Sequence, residues 1–381
     1  MKPVSEIDIA RELVKIPSVN PDYDPASPGE GAVASWLERW GAEQGFGVST
    51  QPVLEGRTNV ILQLRNGADR PHLMLNGHMD TVGVAGMTVS PFGADLVDGR
   101  ITGRGSADMK GPIACMLAAA CRLRDDRASW KGTLSVGCVV DEECRFRGAR
   151  AMMRQMEGLD FAVVGEPTSM QIIRGCKGVL RFAFSARGRS HHSSKPEEGR
   201  SAIVAMADAI LCLEDFFHGP LAAYQLPEFG CSTGSVGLIH GGEGINVVAA
   251  GCRAKVDIRL LPGQDAAKTY STLQSWVRER ATRVADIEWI FEEPLLLDEA
   301  FEISNSEDLV REACAIAGAD KAGVVAYGCD AGKIAERGVP CIIWGPGDIA
   351  NAHTKDESIG VEELKEATDC YARLARALMP A

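Results

Sequence analysis

Short apolar runs bounded by Gly, Pro or polar residues alternate along this chain with longer helical stretches, and that alternation restricts the fold more than any other feature. The runs within TNVILQLR, PHLMLN, GTLSVGCVV, FAVVGE and PCIIWG are mainly β-branched or apolar, as strands buried on both faces should be. Between them lie GAVASWLERWGAEQG and GPIACMLAAACRLRDD, which read as helices. The pattern predicts an α/β fold: an open, mostly parallel sheet covered by helices. At 381 residues the chain exceeds one ordinary compact domain, so a second or inserted domain is expected.

From about Gly178 the rhythm changes. GVLRFAFSARG alternates like a half-exposed strand, and GRSAIVAMADAILCLEDFF reads as an amphipathic helix. Strands follow in STGSVGLIHGG and CRAKVDIRLL, then a helix in DAAKTYSTLQSWVRER and a strand near IEWIFEE. Strand, helix, strand, strand, helix, strand is the split βαβ order of an α+β, ferredoxin-like domain. The expected organisation is therefore 1–177, an insert over 178–290, and a return to the first domain over 291–381.

Composition removes several classes of function. A formal net charge of −12 opposes nucleic acid or an anionic membrane surface as the main partner. No segment approaches the roughly 18 to 20 apolar residues that span a bilayer, and the N-terminus lacks the apolar core of a signal peptide. The 12 cysteines include no CxxC pair, which suits buried thiols in a reducing compartment. The chain reads as unexported and cytoplasmic.

The ionisable residues fall at telling places on this map. His78 and Asp80 follow one strand, and Asp108 sits in GRGSADMKG just before a helix. Glu142 and Glu143 follow another strand, Glu166 follows FAVVG, and His353 lies beyond PCIIW. Each is at or beyond the carboxyl end of a strand, where open α/β sheets gather functional groups. Singly, a His-x-Asp is an ordinary turn and DEE a solvated loop; it is the joint placement that points to a site. GRGSADMKG lacks the GK[ST] signature of a phosphate loop. Two imidazoles and several carboxylates are instead the mixed nitrogen and oxygen donors that Zn²⁺ accepts, and five ligands with one shared carboxylate suit a pair of ions. Asp80 is then expected to accept the free N–H of His78 and fix its tautomer.

The segments NGHMDTV, GRGSADMKG, VVDEE, VVGEPT and AHTKDE, in this order, resemble those of the two-zinc aminoacylase and carboxypeptidase family. The resemblance implies a zinc-binding α/β domain interrupted by a dimerising lid, two Zn²⁺ per subunit with Co²⁺ or Mn²⁺ as substitutes, and hydrolysis of amide bonds. By that resemblance His78 and Glu166 hold one ion, Glu143 and His353 the other, and Asp108 bridges them. Asp80 orients His78, and Glu142 is the general base acting on a bridging water. A cis peptide is implied between Asp108 and Met109. In the insert, the resemblance implies that His192, four residues before Pro196, reaches the partner subunit's active site, and that Asn246 and Arg259 contact substrate. Asp330, in the turn Gly328-Cys329-Asp330-Ala331, either faces a substrate cation or caps the helix that follows. The desuccinylases of the family carry Thr-Ser-Asp-Gly there, so this turn argues against that activity. The substrate implied first is an N-acyl amino acid, as in acetylornithine deacetylase, with a dipeptidase or carboxypeptidase as the alternative. Behind these stand a desuccinylase, an unusual amidase or deaminase, and a non-catalytic member.

Overall fold

The computed structural model describes residues 4–381, so the first three residues of the 1–177 span lie outside it. Helices α1 (Glu6–Lys15) and α2 (Gly31–Glu43) precede strands β1 (Gly47–Leu54), β2 (Arg57–Asn66) and β3 (His72–His78). Next come α3 (Gly111–Asp125), β4 (Gly132–Val139), the short helices α4 (Glu142–Arg145) and α5 (Arg147–Gln155), β5 (Phe161–Val164) and β6 (Ile173–Cys176). Then follow β7 (Gly178–Arg187), α6 (Ala202–Phe216), β8 (Thr233–Gly241), β9 (Gly251–Leu260), α7 (Ala266–Arg280) and β10 (Glu288–Phe291). The chain closes with α8 (Asp308–Ala317), α9 (Asp330–Ala335), β11 (Cys341–Ile343) and α10 (Val361–Leu378).

The chain divides into two compact units. The first comprises Met1–Gly175, Ile303–Gly323 and Cys329–Ala381. Its sheet runs β1-β2-β4-β3-β5-β11-β6. β4, β3, β5 and β11 are mutually parallel, whereas β1, β2 and β6 join antiparallel to their neighbours. The edge departs from a parallel pattern because β1 and β2 are joined by a turn at Glu55 and Gly56, and so short a link can only return the chain antiparallel. Every residue of β3 and β4 is buried, which requires cover on both faces. α3 packs on β3 and β4, and is itself wedged against α1 and α10. Enclosed on all sides, it is apolar nearly all round its surface. Gly77 permits that approach: a Cβ there would lie 2.7 Å from Ile113 and 2.9 Å from Met109. The residue beside His78 is thus small because the helix behind it is close.

The second unit comprises Cys176–Glu302 and Val324–Gly328. Its antiparallel sheet runs β8-β9-β7-β10, with Leu296–Asp298 also pairing with β7. The element order is strand, helix, strand, strand, helix, strand, as the period change after Gly178 predicts. Leu180, Phe182, Phe184 and Ala186 of β7 share one core with Ala209 and Leu213 of α6 and with Leu273 and Val277 of α7. Of the alternate residues, Arg181 and Ser185 are half-buried, whereas Val179 and Ala183 are buried, so the opposite face of β7 is itself partly covered. Most of the 12 cysteines are buried, Cys115, Cys121, Cys138 and Cys252 among them. Among the described residues no helix is long and apolar enough to cross a membrane.

Candidate metal centre

Because β4, β3, β5 and β11 run parallel, their carboxyl ends lie along one edge of the first unit's sheet. His78 is the last residue of β3, Glu142 and Glu143 open α4 just beyond β4, and Glu166 lies two residues past β5. Asp108 sits in the wide turn Ser106–Lys110 that leads into α3, and its peptide bond to Met109 is cis. His353 lies in the loop beyond β11 with φ +62°, and Asp141, just before the glutamates, has φ +67°. Left-handed backbone at two non-glycine residues costs roughly 1 to 3 kcal/mol each, and the surrounding contacts must offset it.

The five proposed metal ligands and Glu142 do come together. The carboxylate of Asp108 lies between two rings: its Oδ1 is 2.9 Å from His78 Nε2 and its Oδ2 is 3.2 Å from His353 Nε2. His353 Nε2 is also 3.2 Å from Glu143 Oε1. Glu142 Oε2 and Glu166 Oε1 each lie 3.9 Å from His78 Nε2. Ligand atoms of His78, Glu142 and Glu166 fall within 4.8 Å of one another, as do those of His78, Asp108 and Glu143.

The electrostatics of the cluster suit a cation. Burial and the neighbouring Glu166 charge push the Glu142 carboxyl well above the usual range, and burial with the Asp108 charge does the same to Glu166. Burial works against the protonated His78 ring, but its hydrogen bond to Asp108 and the charges of Glu142 and Glu166 outweigh this and raise it. Hydrogen bonds to Asp108 and Glu143 raise His353 to about 10. Glu166 Oε1 is buried without a hydrogen-bond partner, an expensive condition for a carboxylate unless a cation satisfies it. Mixed imidazole and carboxylate donors, one of them orphaned, fit divalent ions of the Zn²⁺ kind.

Asp80 departs from expectation. His78 Nδ1 is 2.9 Å from the backbone oxygen of Asp80, while the Asp80 carboxylate stands 3.6 Å away. That carboxylate instead accepts from the backbone N–H groups of Glu142, at 3.0 Å to Oδ1, and Glu143, at 3.2 Å to Oδ2. Asp80 thus fixes the ring through its main chain and the glutamate turn through its side chain. Asn20 Nδ2 donates both to Asp80 Oδ2, at 2.8 Å, and to Asp141 Oδ1, at 3.1 Å. Behind it Arg57 grips Glu30 with two bonds of 2.5 and 2.6 Å and lies 3.3 Å from Asp141. Removing one partner of so buried a pair costs about 3 to 5 kcal/mol. Sequence reasoning assigned nothing to Asn20, Glu30, Arg57 or Asp141. Only Asp141 fell inside a quoted motif, VVDEE.

Asp330 is fully buried at the start of α9, where its Oδ2 accepts from Asn76 Nδ2 at 3.1 Å. The cap position of α9 is Cys329, so the Asp330 carboxylate meets a β3 residue rather than the helix end. In the second unit His192 and Asn246 lie together and exposed. His192 bridges to Val247, and the Ser193 N–H donates to the Asn246 oxygen. His192 Nδ1 accepts from the Ser194 backbone N–H at 3.1 Å, so the proton of the neutral ring sits on the outward Nε2. Arg259 is elsewhere. It lies eight residues along β9 from the Gly251 end beside which those loops sit, roughly 27 Å at the rise of an antiparallel strand. There its Nε donates to Asp257 at 2.8 Å, a carboxylate shared with Arg181.

A sheet edge that gathers two imidazoles about a shared carboxylate suits divalent metal ions, and the family match that follows makes the chain a hydrolase acting on amide bonds. The sequence pattern of peptidase family M20/M25/M40 matches residues 74–377, a span that holds every residue of the cluster. The chain belongs to that family. An acetylornithine deacetylase of Proteus mirabilis (strain HI4320) is 32% identical over 377 residues, covering 97% of this chain and 95% of that protein. A tripeptidase structure from Staphylococcus aureus superposes with a TM-score of 0.80 at 22% identity, covering 99% of each chain. A dinuclear metal binding peptidase of the M20 family from Bacillus subtilis gives 0.72 at 18% identity, covering 98% of this chain and 97% of that one. These two structural likenesses show the fold.

Proposed function

We propose that the protein removes the acyl group from an N-acyl amino acid, with N-acetylornithine the first compound to test. The observation that carries the hydrolytic chemistry is the Asp108 carboxylate, one oxygen facing His78 and the other His353. The choice of substrate rests on the 32% identity to the deacetylase over nearly the full length of both chains. In this reading His78 and Glu166 hold one divalent ion, Glu143 and His353 hold a second, and Asp108 is shared. Two such ions, zinc by the chemistry of the donors, would polarise the scissile carbonyl and acidify the attacking water.

Glu142 is left to move the proton. It is buried, beside the ligands, and its raised carboxyl is suited to take a proton at Oε2 and pass it to the departing amine. Asp80 keeps Glu142 at that station through the bond to its N–H. His192, with its proton outward on Nε2, has the donor needed to meet a developing oxyanion, and the Asn246 amide beside it is a second. Arg259 retains N–H groups beyond those spent on Asp257 and would take the substrate carboxylate.

The second unit acts in this reading as a lid and as the seat of a homodimer. Among the described residues β8 pairs only with β9, and its Leu238 and Ile239 are half exposed, as is Leu211 of α6. An open strand edge with apolar flanks is a natural pairing surface. In that dimer His192 would serve the partner subunit's centre, as the family resemblance implies. The largely buried cysteines fit a cytoplasmic setting.

The test is amine release from N-acetylornithine, other N-acetyl amino acids, N-succinyl-diaminopimelate and dipeptides, with Glu142→Ala as the blank. Release from one acetylated amino acid, lost in the blank, supports the deacylase reading. Cleavage of dipeptides alone replaces it with a peptidase, and no release from any compound removes it.

A further inference from the structure

Asp80, Asp108 and His353 sit on three separate chain segments, and one side chain from the Asp108 segment reaches the other two. Arg104 is 3% exposed. Its Nε donates to the Gly83 oxygen at 3.1 Å, on the loop that leaves Asp80. Its Nη2 donates to the Thr354 oxygen at 3.1 Å, the residue after His353. Its Nη1 meets Glu357 Oε2 at 2.5 Å. The other oxygen of Glu357, a fully buried residue, accepts from the backbone N–H groups of Ala107 at 3.0 Å and Asp108 at 3.1 Å. The main chain adds a bond from the Gly103 N–H to the Glu357 oxygen at 3.0 Å.

The guanidinium is a rigid planar fork with five N–H groups, and here its three nitrogens meet two chain segments, Nε the Gly83 loop and Nη1 and Nη2 the loop of Thr354 and Glu357. Fixing Thr354 fixes the left-handed turn at His353; fixing Ala107 and Asp108 fixes the direction from which the shared carboxylate leaves the backbone. Arg104 and Glu357 thus tie the backbone at Ala107 and Asp108 to that at Thr354, beside the direct 3.2 Å contact of the Asp108 and His353 side chains. His78 depends on the clamp far less, since it is anchored by its pairing with Val139 and by the Asp80 oxygen.

We propose that Arg104 and Glu357 are positioning residues that hold the Asp108 and His353 loops in register, so that they govern affinity for the ion His353 would hold while leaving the His78 ion largely unaffected. The inference rests on the two-ion reading of the site. Groups that hold metal ligands in place typically contribute 10- to 100-fold in metal affinity.

The experiment titrates chelator-stripped full-length protein with Co²⁺, following visible absorption and calorimetric stoichiometry, in the wild type, Arg104→Met, Arg104→Lys, Glu357→Gln and His353→Ala. The expected result is two ions in the wild type. In Arg104→Met one ion is unchanged, and the ion lost in His353→Ala is weakened at least about 10-fold. Arg104→Lys should not rescue it, because a single ammonium cannot span the three acceptors. If Arg104→Met lacks the wild-type circular dichroism, Glu357→Gln decides the matter with the same selective weakening expected. Wild-type spectra and affinities for both ions in a folded variant would overturn the proposal, as would equal weakening of the two, which marks general loosening. A wild type that takes up no second ion overturns the two-ion reading, and this inference with it.

Discussion

Asp80 accepts the backbone N–H of Glu142 at 3.0 Å, and so the residue after next to one imidazole holds the carboxylate that lies 3.9 Å from that same imidazole. An asparagine at position 80 would keep the shape but turn one acceptor into an NH₂ facing an N–H. In Asp80→Asn we expect kcat to fall roughly 10- to 100-fold with KM nearly unchanged. Steady-state kinetics on the best substrate checks this, and a wild-type kcat would remove the positioning role.

Glu142 and Glu143 are neighbours with different duties in the proposed reaction. Glu142→Gln should bind both ions yet lose about 10²- to 10⁴-fold in kcat, the range of general acid–base catalysis. Glu143→Gln should instead lose metal, since Glu143 Oε1 is the carboxylate oxygen beside His353. Metal analysis of the purified variants separates the two; equal metal loss in both would make Glu142 a ligand.

Chelation should abolish activity, and Zn²⁺, Co²⁺ or Mn²⁺ should restore it. It should also lower the melting temperature, because an ion bound only by the folded chain stabilises it, and because its removal leaves Glu166 Oε1 buried and unpaired. Full activity in a chelated sample shown by analysis to be metal-free would end the metal reading.

His72 offers a pH signature away from the centre. Burial lowers its pKa below 6.5, overcoming the Asp160 charge, while its Nε2 lies 2.9 Å from Ser135 Oγ. The unfolded chain therefore binds the proton more readily. Its contribution is whole above about pH 6.5 and is lost as pH falls through that value toward the lowered folded pKa. Urea unfolding of wild type and His72→Gln between about pH 7.5 and 5.5 should show a shallower loss in the variant. Parallel curves would contradict it.

The strands and the convergence of His78, Glu142, Glu143 and Glu166 at their ends were legible because an apolar run that stops at a lone His, Asp or Glu marks both a buried strand and its carboxyl end. The partner of Asp80 was not, since whether its carboxylate meets a ring or a backbone N–H depends on the left-handed turn at Asp141. Asn20 and Arg57 carry no periodicity that points to Asp80 or Asp141, which lie far along the chain. Arg104 and Glu357 stood inside the motifs GRGSADMKG and AHTKDE, but nothing local reveals that they face each other. The direction of β2 was equally hidden: TNVILQLR reads alike in either sense, and only the turn at Gly56 decides it.

The far ends of the second unit's sheet carry different tools, His192 with Asn246 at one and Arg259 at the other. If each pocket draws on both kinds, every working centre is the joint property of two chains. A chain lacking His192 and a chain lacking Arg259 would each be inactive with its own kind. Mixed, they would rebuild one sound centre in every hybrid pair, and about a quarter of the lost turnover would return from two dead parents.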